Sequence, residues 1–150
     1  MPHMNRQLNL SYVLTPERRL DIGELSKIYL TTTVQRRLHQ ARFRNQVLKV
    51  YRDRCGVCIL RIRPLLDAAH IIPARDPKPP IPVNEGMALC AIHHRAFDAR
   101  ILRYDQNYRI RIELPEKSPI GEAEKSMLLA FNGRPLTLPK DDRFRPANLD

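Results

Sequence analysis

The chain has 150 residues, a length that fits one globular domain with short additional segments. Its formal net charge of +10 favours a polyanionic partner such as nucleic acid. No apolar run is long enough to span a bilayer and no signal peptide is recognisable, so we expect a soluble, cytoplasmic protein with no membrane partner.

The N-terminal third of the chain carries helical signals. Thr15 followed by Pro16 favours a helix start. A short helix is expected over 22–29, before Thr31-Thr32-Thr33 interrupts it. From Val34 to Arg52, apolar residues recur at three- and four-residue steps, which predicts an amphipathic helix. We therefore divide the chain into an N-terminal arm or linker (1–33), one domain (34–140) and a C-terminal tail (141–150).

Two short strands and a helix are predicted near the centre of the chain. The stretch Leu65–Ala69 predicts a strand that ends at His70, and Met87–Leu89 predicts a second strand. Five prolines between positions 73 and 82 are incompatible with regular structure, so an extended loop is expected there. The residues from Ala91 to Arg100 then predict a helix.

The C-terminal part predicts a hairpin followed by a helix. Ile101–Tyr104 and Tyr108–Leu114 are separated by turn residues, and the second run alternates between apolar and polar positions. An amphipathic helix is expected over Glu122–Phe131 and a last short strand over 136–138. The polar tail after Pro139 is expected to be loose. Together these elements predict an α+β fold.

Three cysteines and a histidine form two pairs with metal-ligand spacing. Cys55 and Cys58 form a CxxC pair, and Cys90 and His93 form a CxxH pair. Zinc prefers four tetrahedral nitrogen or sulfur ligands, so these residues predict a zinc knuckle, with His94 as an alternative to His93. Four protein ligands leave no open position, so this Zn²⁺ would be structural. An odd number of cysteines also argues against a disulfide framework.

Basic residues are concentrated on the predicted helix and just after it. Across positions 36–63, nine arginines and lysines are opposed by a single acidic residue, Asp53. We interpret Arg42, Arg44 and Arg52 as candidates for contacts with DNA phosphates, which position a duplex without reading its sequence.

Two stretches of the sequence resemble the HNH endonucleases of the ββα-metal class. They are Ala69-His70-Ile71-Ile72-Pro73 and Leu89-Cys90-x-x-His93-His94-x-x-Phe97-Asp98, and the similarity runs from about Phe43 to Leu102. The surrounding sequence is also similar to a bacterial, restriction-type branch of that family. The resemblance implies a ββα-metal core with a zinc knuckle, an N-terminal helix, and a C-terminal hairpin plus helix.

The resemblance also implies a role for each matching residue. His70 stands where the family has its general base, which takes a proton from the attacking water. His94 stands at the position of a ligand to one divalent cation, and Asp98, four residues later on the same helix, can complete that site. A carboxylate there favours a hard cation such as Mg²⁺ or Mn²⁺. The implied reaction is hydrolysis of a phosphodiester bond.

Two positions depart from the family pattern. Many relatives have a metal-binding Asp or His directly before the general base, where this chain has Ala69. Asp67 lies on the same face of the predicted strand and is either a further ligand of the catalytic cation or a loop anchor. The middle Asn of the motif would fall at Glu85, so either Asn84 takes its role or the loop is held differently.

The sequence therefore predicts a metal-dependent endonuclease that acts on double-stranded DNA, with His70, Asn84 and His94 as its catalytic residues. The alternative is a non-catalytic, zinc-stapled DNA-binding module. A homodimer is expected if one-site subunits cut both strands. An upstream DNA-reading domain, which the family often has, would supply sequence selection.

Overall fold

The computed structural model describes residues 22–72 and 81–147. The described residues divide into two compact units between Arg37 and Leu38, and each unit is considered by itself. The predicted helix start at Thr15 lies outside the described residues, as does most of the proline-rich stretch (73–80).

Helix α1 spans Ile22–Val50 without a break. The predicted interruption at Thr31-Thr32-Thr33 is wrong, because each threonine hydroxyl donates a hydrogen bond of 2.8–2.9 Å to the carbonyl four residues earlier. These side chains are satisfied inside the helix instead of competing with its backbone bonds. Near its C-terminal end, α1 buries Phe43, Val47 and Leu48 in the core of the second unit.

A two-stranded sheet and a helix form the centre of the second unit. Strand β1 (Leu66–His70) pairs antiparallel with β2 (Gly86–Cys90), so that Leu66 lies opposite Cys90 and His70 lies opposite Gly86. Helix α2 (Ala91–Asp98) begins directly after β2. Every residue of β2 is buried, so the sheet fixes the start of α2 firmly against the core.

A second antiparallel hairpin follows, as the alternating pattern predicted. Strand β3 (Leu102–Tyr104) pairs with β4 (Ile110–Ile112). In the turn, Asp105 Oδ1 accepts hydrogen bonds from the backbone N–H groups of Asn107 and Arg109 at 2.9 and 3.0 Å. The hairpin contributes fully buried leucine and isoleucine side chains to the same core.

Two predictions for the C-terminal part are wrong in extent. Helix α3 spans only Glu122–Met127, because Leu128 leaves the helical region at φ −128°, and a single 3₁₀ turn follows over Leu129–Phe131. The predicted strand over 136–138 does not form. The residue just before this segment, Pro135, makes an isolated β-bridge with Arg109.

The described part of the tail is packed, not loose as expected. The Tyr104 hydroxyl donates a hydrogen bond of 2.6 Å to the Ala147 carbonyl, and the Ala147 N–H donates one of 2.9 Å to the Asn84 carbonyl. The side chain of Pro146 is fully buried. Polar composition predicted mobility, but the tyrosine hydroxyl and the buried proline ring hold this segment in place.

The predicted fold class is confirmed. The second unit combines helices with two small antiparallel sheets, and its β1–β2–α2 order is the ββα arrangement with a Cys/His cluster beside it. No helix within residues 22–72 and 81–147 is both long enough and apolar enough to cross a lipid bilayer.

Candidate active site and metal centre

Three cysteines and one histidine converge where β2 joins α2. Cys55 and Cys58 lie in the turn after α1, Cys90 is the last residue of β2, and His93 lies in the first turn of α2. Their potential donor atoms all lie within 4.8 Å of one another. The structure therefore brings together the four residues that the spacing singled out, with His93 in the cluster and His94 outside it.

Two of the measured donor separations in this cluster match those of tetrahedral zinc, and a third is about 0.5 Å shorter. Bonds of about 2.3 Å to sulfur and about 2.1 Å to nitrogen separate two sulfurs by about 3.8 Å, and sulfur from nitrogen by about 3.6 Å. The Cys58 and Cys90 sulfurs are 3.8 Å apart, and Nδ1 of His93 lies 3.6 Å from the Cys55 sulfur and 3.1 Å from the Cys90 sulfur. This Cys₃His group could hold zinc.

The imidazole of His93 is oriented by a second hydrogen bond. Its Nε2 lies 2.9 Å from the carbonyl oxygen of Met127, at the end of α3. A carbonyl can only accept, so Nε2 carries the proton and Nδ1 keeps its lone pair for the cysteine side. The ring of Phe131 packs edge-on against the same imidazole, with 5.2 Å between ring centroids.

Close packing separates the pKa values of the three thiols. The hydrogen bond from Cys55, together with one from the backbone N–H of His93, lowers the pKa of Cys90 to about 3. The same Cys55–Cys90 bond, and then burial, raise the pKa of Cys55, and burial raises that of Cys58. For all three cysteines to be ionised at such distances, a positive charge must compensate their negative charges, and a divalent cation would supply it.

The neighbouring histidine lies in a different environment. His94 Nδ1 is 3.7 Å from Oδ2 of Asp67, and its Nε2 is 3.6 Å from Oδ2 of Asp98. Each ring nitrogen therefore faces a carboxylate, one from β1 and one from the same helix four residues later. These residues line an open cavity of about 410 Å³. Imidazole and carboxylate groups at these distances form a donor set that suits a divalent cation.

The wall of this cavity includes Arg44. Its Nε lies 3.3 Å from Oδ1 of Asp67, and its guanidinium donates a hydrogen bond of 2.7 Å to the carbonyl of Leu66. Of the three arginines predicted to contact DNA, Arg44 is thus engaged at the site, whereas Arg42 and Arg52 are exposed. Neither of these two forms an ion pair with a residue in 22–72 or 81–147.

His70 lies at the end of β1, half-buried, with its ring stacked on Phe43 at 4.5 Å between centroids and 19° between planes. Burial lowers the pKa of His70 below its usual 6.5, and the nearby His94 lowers it further. Asp67 and Asp98 act in the opposite direction but do not overcome burial. The imidazole is therefore neutral at pH 7 and able to accept a proton.

The two departures from the family motif have different structural settings. Ala69 is fully buried, while Asp67 on the same strand is exposed and reaches His94. The loop before β2 is tied to β1 through the backbone, because the Ile71 N–H donates a hydrogen bond of 2.8 Å to the Glu85 carbonyl. The Asn84 side chain makes no hydrogen bond to any other described residue.

Sequence reasoning missed two residues at this site. Arg95 lines the same cavity as His94 and Asp98. The sequence did contain a signal for Arg95, because this basic residue directly follows the motif histidine His94. Phe43 marks only the approximate start of the family resemblance in the sequence, and nothing there predicts that its ring stacks on His70, 27 positions later.

Comparison with known proteins gives one result. A family model described as HNH endonuclease matches residues 52–102, a range that includes the Cys/His cluster, His70 and the cavity residues on α2. No curated protein and no solved structure matches the chain.

Proposed function

We propose that the protein is a restriction-type, metal-dependent endonuclease that cuts double-stranded DNA, and the match of residues 52–102 to the HNH endonuclease family model supports this proposal. HNH nucleases act on DNA and use divalent metals. The observation that supports the proposal best is His94, which has Asp67 and Asp98 at its two ring nitrogens beside an open cavity. These side chains would supply the donor set for the catalytic cation at the motif position.

His70 is the general base in this proposal. Its position at the end of β1 places it on the strand that also carries Asp67, and its lowered pKa keeps the imidazole neutral at pH 7. A neutral imidazole can take a proton from the water that attacks phosphorus. The nearby carboxylates of Asp67 and Asp98 then favour the imidazolium that forms.

His94 and Asp98 hold the catalytic cation, with Asp67 in contact with His94 from the other side. Bound there, Mg²⁺ or Mn²⁺ would stabilise negative charge that develops on the phosphate and the departing 3′ oxygen. Asn84, the third catalytic residue of the sequence prediction, would act through the loop that precedes β2. The zinc cluster has a structural role, since its four ligands leave no open position.

Basic residues of α1, of the turn that follows it and of the cavity wall position the duplex in this proposal. Arg42 and Arg52 are exposed and available for phosphate contacts, and Arg95 stands at the cavity beside His94. Contacts of this kind make binding steeply salt-dependent and carry no sequence information. A separate DNA-reading domain would supply selectivity, and a homodimer would let two one-site subunits cut both strands.

The test is nicking of supercoiled plasmid by the zinc-loaded protein with Mg²⁺ or Mn²⁺, using modified and unmodified plasmid. We expect cleavage by the wild type and a loss of at least about 100-fold in His70→Ala, because the attacking water loses its proton acceptor. His39→Ala is the matched control, since it removes an imidazole from α1 that the proposed chemistry does not use. Full activity in His70→Ala contradicts the proposal.

The displaced motif Asn favours one alternative, a zinc-stapled module that binds DNA without cutting it. The Asn84 side chain is not bonded to any described residue, and Arg44 already neutralises part of the Asp67 charge. This alternative predicts salt-dependent DNA binding, zinc at one equivalent and no second cation at His94. Titration with Mn²⁺ followed by paramagnetic broadening of the His94 signals separates the two functions.

A further inference from the structure

We propose that Phe43 is a positioning residue for His70 and that Gly86 is the residue that makes this possible. The proposal rests on the proposed function, because it assigns a role relative to the general base. The evidence is the close approach of α1 to the edge of the β1–β2 sheet, where His70 ends one strand and Gly86 begins the other.

The first observation is the stack itself. The rings of Phe43 and His70 lie 4.5 Å apart between centroids and are nearly parallel, at 19°. No hydrogen bond joins the His70 ring to any other residue in 22–72 or 81–147. A general base must point at its water to within a few tenths of an ångström. In the described structure, packing on Phe43 is what orients the His70 ring.

The second observation is the space that Gly86 leaves. A Cβ atom at this position would lie 2.6 Å from Cζ of Phe43 and 2.6 Å from Cγ2 of Val47, far inside contact distance. Gly86 is the cross-strand partner of His70, so the missing side chain lies directly beside the ring to be positioned. Only glycine lets the Phe43 ring reach the imidazole.

Phe43 is itself held firmly, which a positioning residue requires. Its side chain is 3% exposed, and it belongs to the same buried core as Leu48, which is not exposed at all. Phe43 also shields one face of the imidazole from water, while the charged groups that influence the ring are His94, Asp67, Asp98 and Glu85. Replacing the aromatic ring therefore changes both the orientation and the solvation of His70.

The test compares Phe43→Leu with Val47→Ala in the zinc-loaded full chain. Both substitutions remove apolar volume next to Gly86, but only the first removes the stack. We expect Phe43→Leu to lower the maximal rate of plasmid nicking about 10- to 100-fold with little change in the half-saturating DNA concentration. Val47→Ala should stay within about threefold of the wild type once both are confirmed folded by thermal unfolding.

A second readout does not depend on activity. The ring current of Phe43 should displace the His70 Cε1–H proton signal upfield, and the displacement should vanish in Phe43→Leu but persist in Val47→Ala. The His70 titration midpoint should rise toward 6.5 in Phe43→Leu, because the imidazole gains water contact. If Phe43→Leu does not fold, Phe43→Met provides the same comparison with a side chain closer in volume.

The outcomes are distinguishable. If the wild type nicks plasmid and Phe43→Leu matches Val47→Ala in rate and in the His70 signal, the positioning role is overturned while the proposed function stands. If the wild type does not nick plasmid with either cation, the proposed function fails and the role assigned relative to it fails as well. A selective loss of rate together with the altered His70 signal supports the proposal.

Discussion

Two adjacent histidines of α2 belong to two different sites. His93 is buried with three cysteines, its Nε2 donates to a backbone carbonyl and its Nδ1 faces sulfur. His94, one residue later, faces two carboxylates beside an open cavity. Successive helical residues point about 100° apart, so one turn of α2 serves both the cluster and the cavity.

The two groups differ in burial and in the chemistry of their donor atoms, and these differences suit them to different ions. Soft sulfur ligands in a closed, buried cluster suit a structural ion that never meets substrate. Oxygen and imidazole groups on an open surface suit a cation that must contact a phosphate. The short α2 can carry both groups because the Cys₃His cluster and the buried β2 strand lie at its first turn.

The largest effect on stability is expected from removing a cluster ligand. We expect Cys90→Ser to abolish the cooperative unfolding transition, because zinc contributes on the order of 10 kcal/mol to the folding of small zinc domains. Circular dichroism and zinc content measure the effect. Prolonged treatment of the wild type with a strong chelator should reproduce it.

The contrasting variant is Asp98→Asn on the same helix. Its carboxylate is half-exposed at the cavity, so the melting temperature should stay within a few degrees of the wild type. If Asp98→Asn unfolds as Cys90→Ser does, both groups contribute to folding, and the assignment of a structural role to the cluster alone is wrong.

A smaller effect is expected from Asp67→Asn, which keeps the side-chain shape and removes the charge. The carboxylate faces Nδ1 of His94 and pairs with Arg44, so its loss should weaken catalytic cation affinity about 10- to 100-fold. The dependence of the nicking rate on Mg²⁺ concentration measures this change. Zinc content should not change, and a parallel loss of zinc would show that the two sites are coupled.

The smallest effect concerns the backbone of the zinc knuckle. Ile59 directly follows Cys58 with φ 58°, a conformation that costs a β-branched residue about 1 kcal/mol or more. Its side chain is 56% exposed, so little burial is lost on substitution. Relief of this strain offsets the roughly 0.5–1 kcal/mol that glycine costs through the unfolded chain, so we expect Ile59→Gly to leave the free energy of unfolding in urea within about 0.5 kcal/mol of the wild type.

Ile62→Gly is the matched control for Ile59→Gly. Ile62 is 53% exposed but has an ordinary φ of −84°, so glycine there gains only freedom in the unfolded chain and should destabilise the protein. Equal destabilisation by both substitutions would contradict the strain at Ile59.

Spacing in the sequence predicted which side chains of the two groups lie close together. A CxxC and a CxxH pair suffice to predict a four-ligand cluster, because the ligand turns are local. His94 and Asp98 share a helix face for the same local reason. The ββα core also followed from short-range patterns, since β1, β2 and α2 differ from their predicted bounds by only one or two residues.

What the sequence could not predict depends on contacts between distant residues. The Phe43–His70 stack joins a helix to a strand, and the end of α3 is set beside a His93 that lies far away in the chain. Threonine hydroxyls can either bond to the helix carbonyl four residues earlier or compete with the helix backbone. Helix propensity alone does not decide which of these Thr31-Thr32-Thr33 would do. The packed tail depends on Tyr104, the last residue of β3.

The hydrogen bond from His93 to Met127 has a kinetic consequence. The metal-facing imidazole is braced by the end of α3 and by the Phe131 ring, so it cannot swing away from the cluster until that segment opens. Zinc transfer to a chelator would then proceed at the rate of a local opening, not at the rate of ligand exchange. The backbone amides of residues 127–131 would report the same event, with hydrogen exchange and zinc loss sharing one temperature dependence.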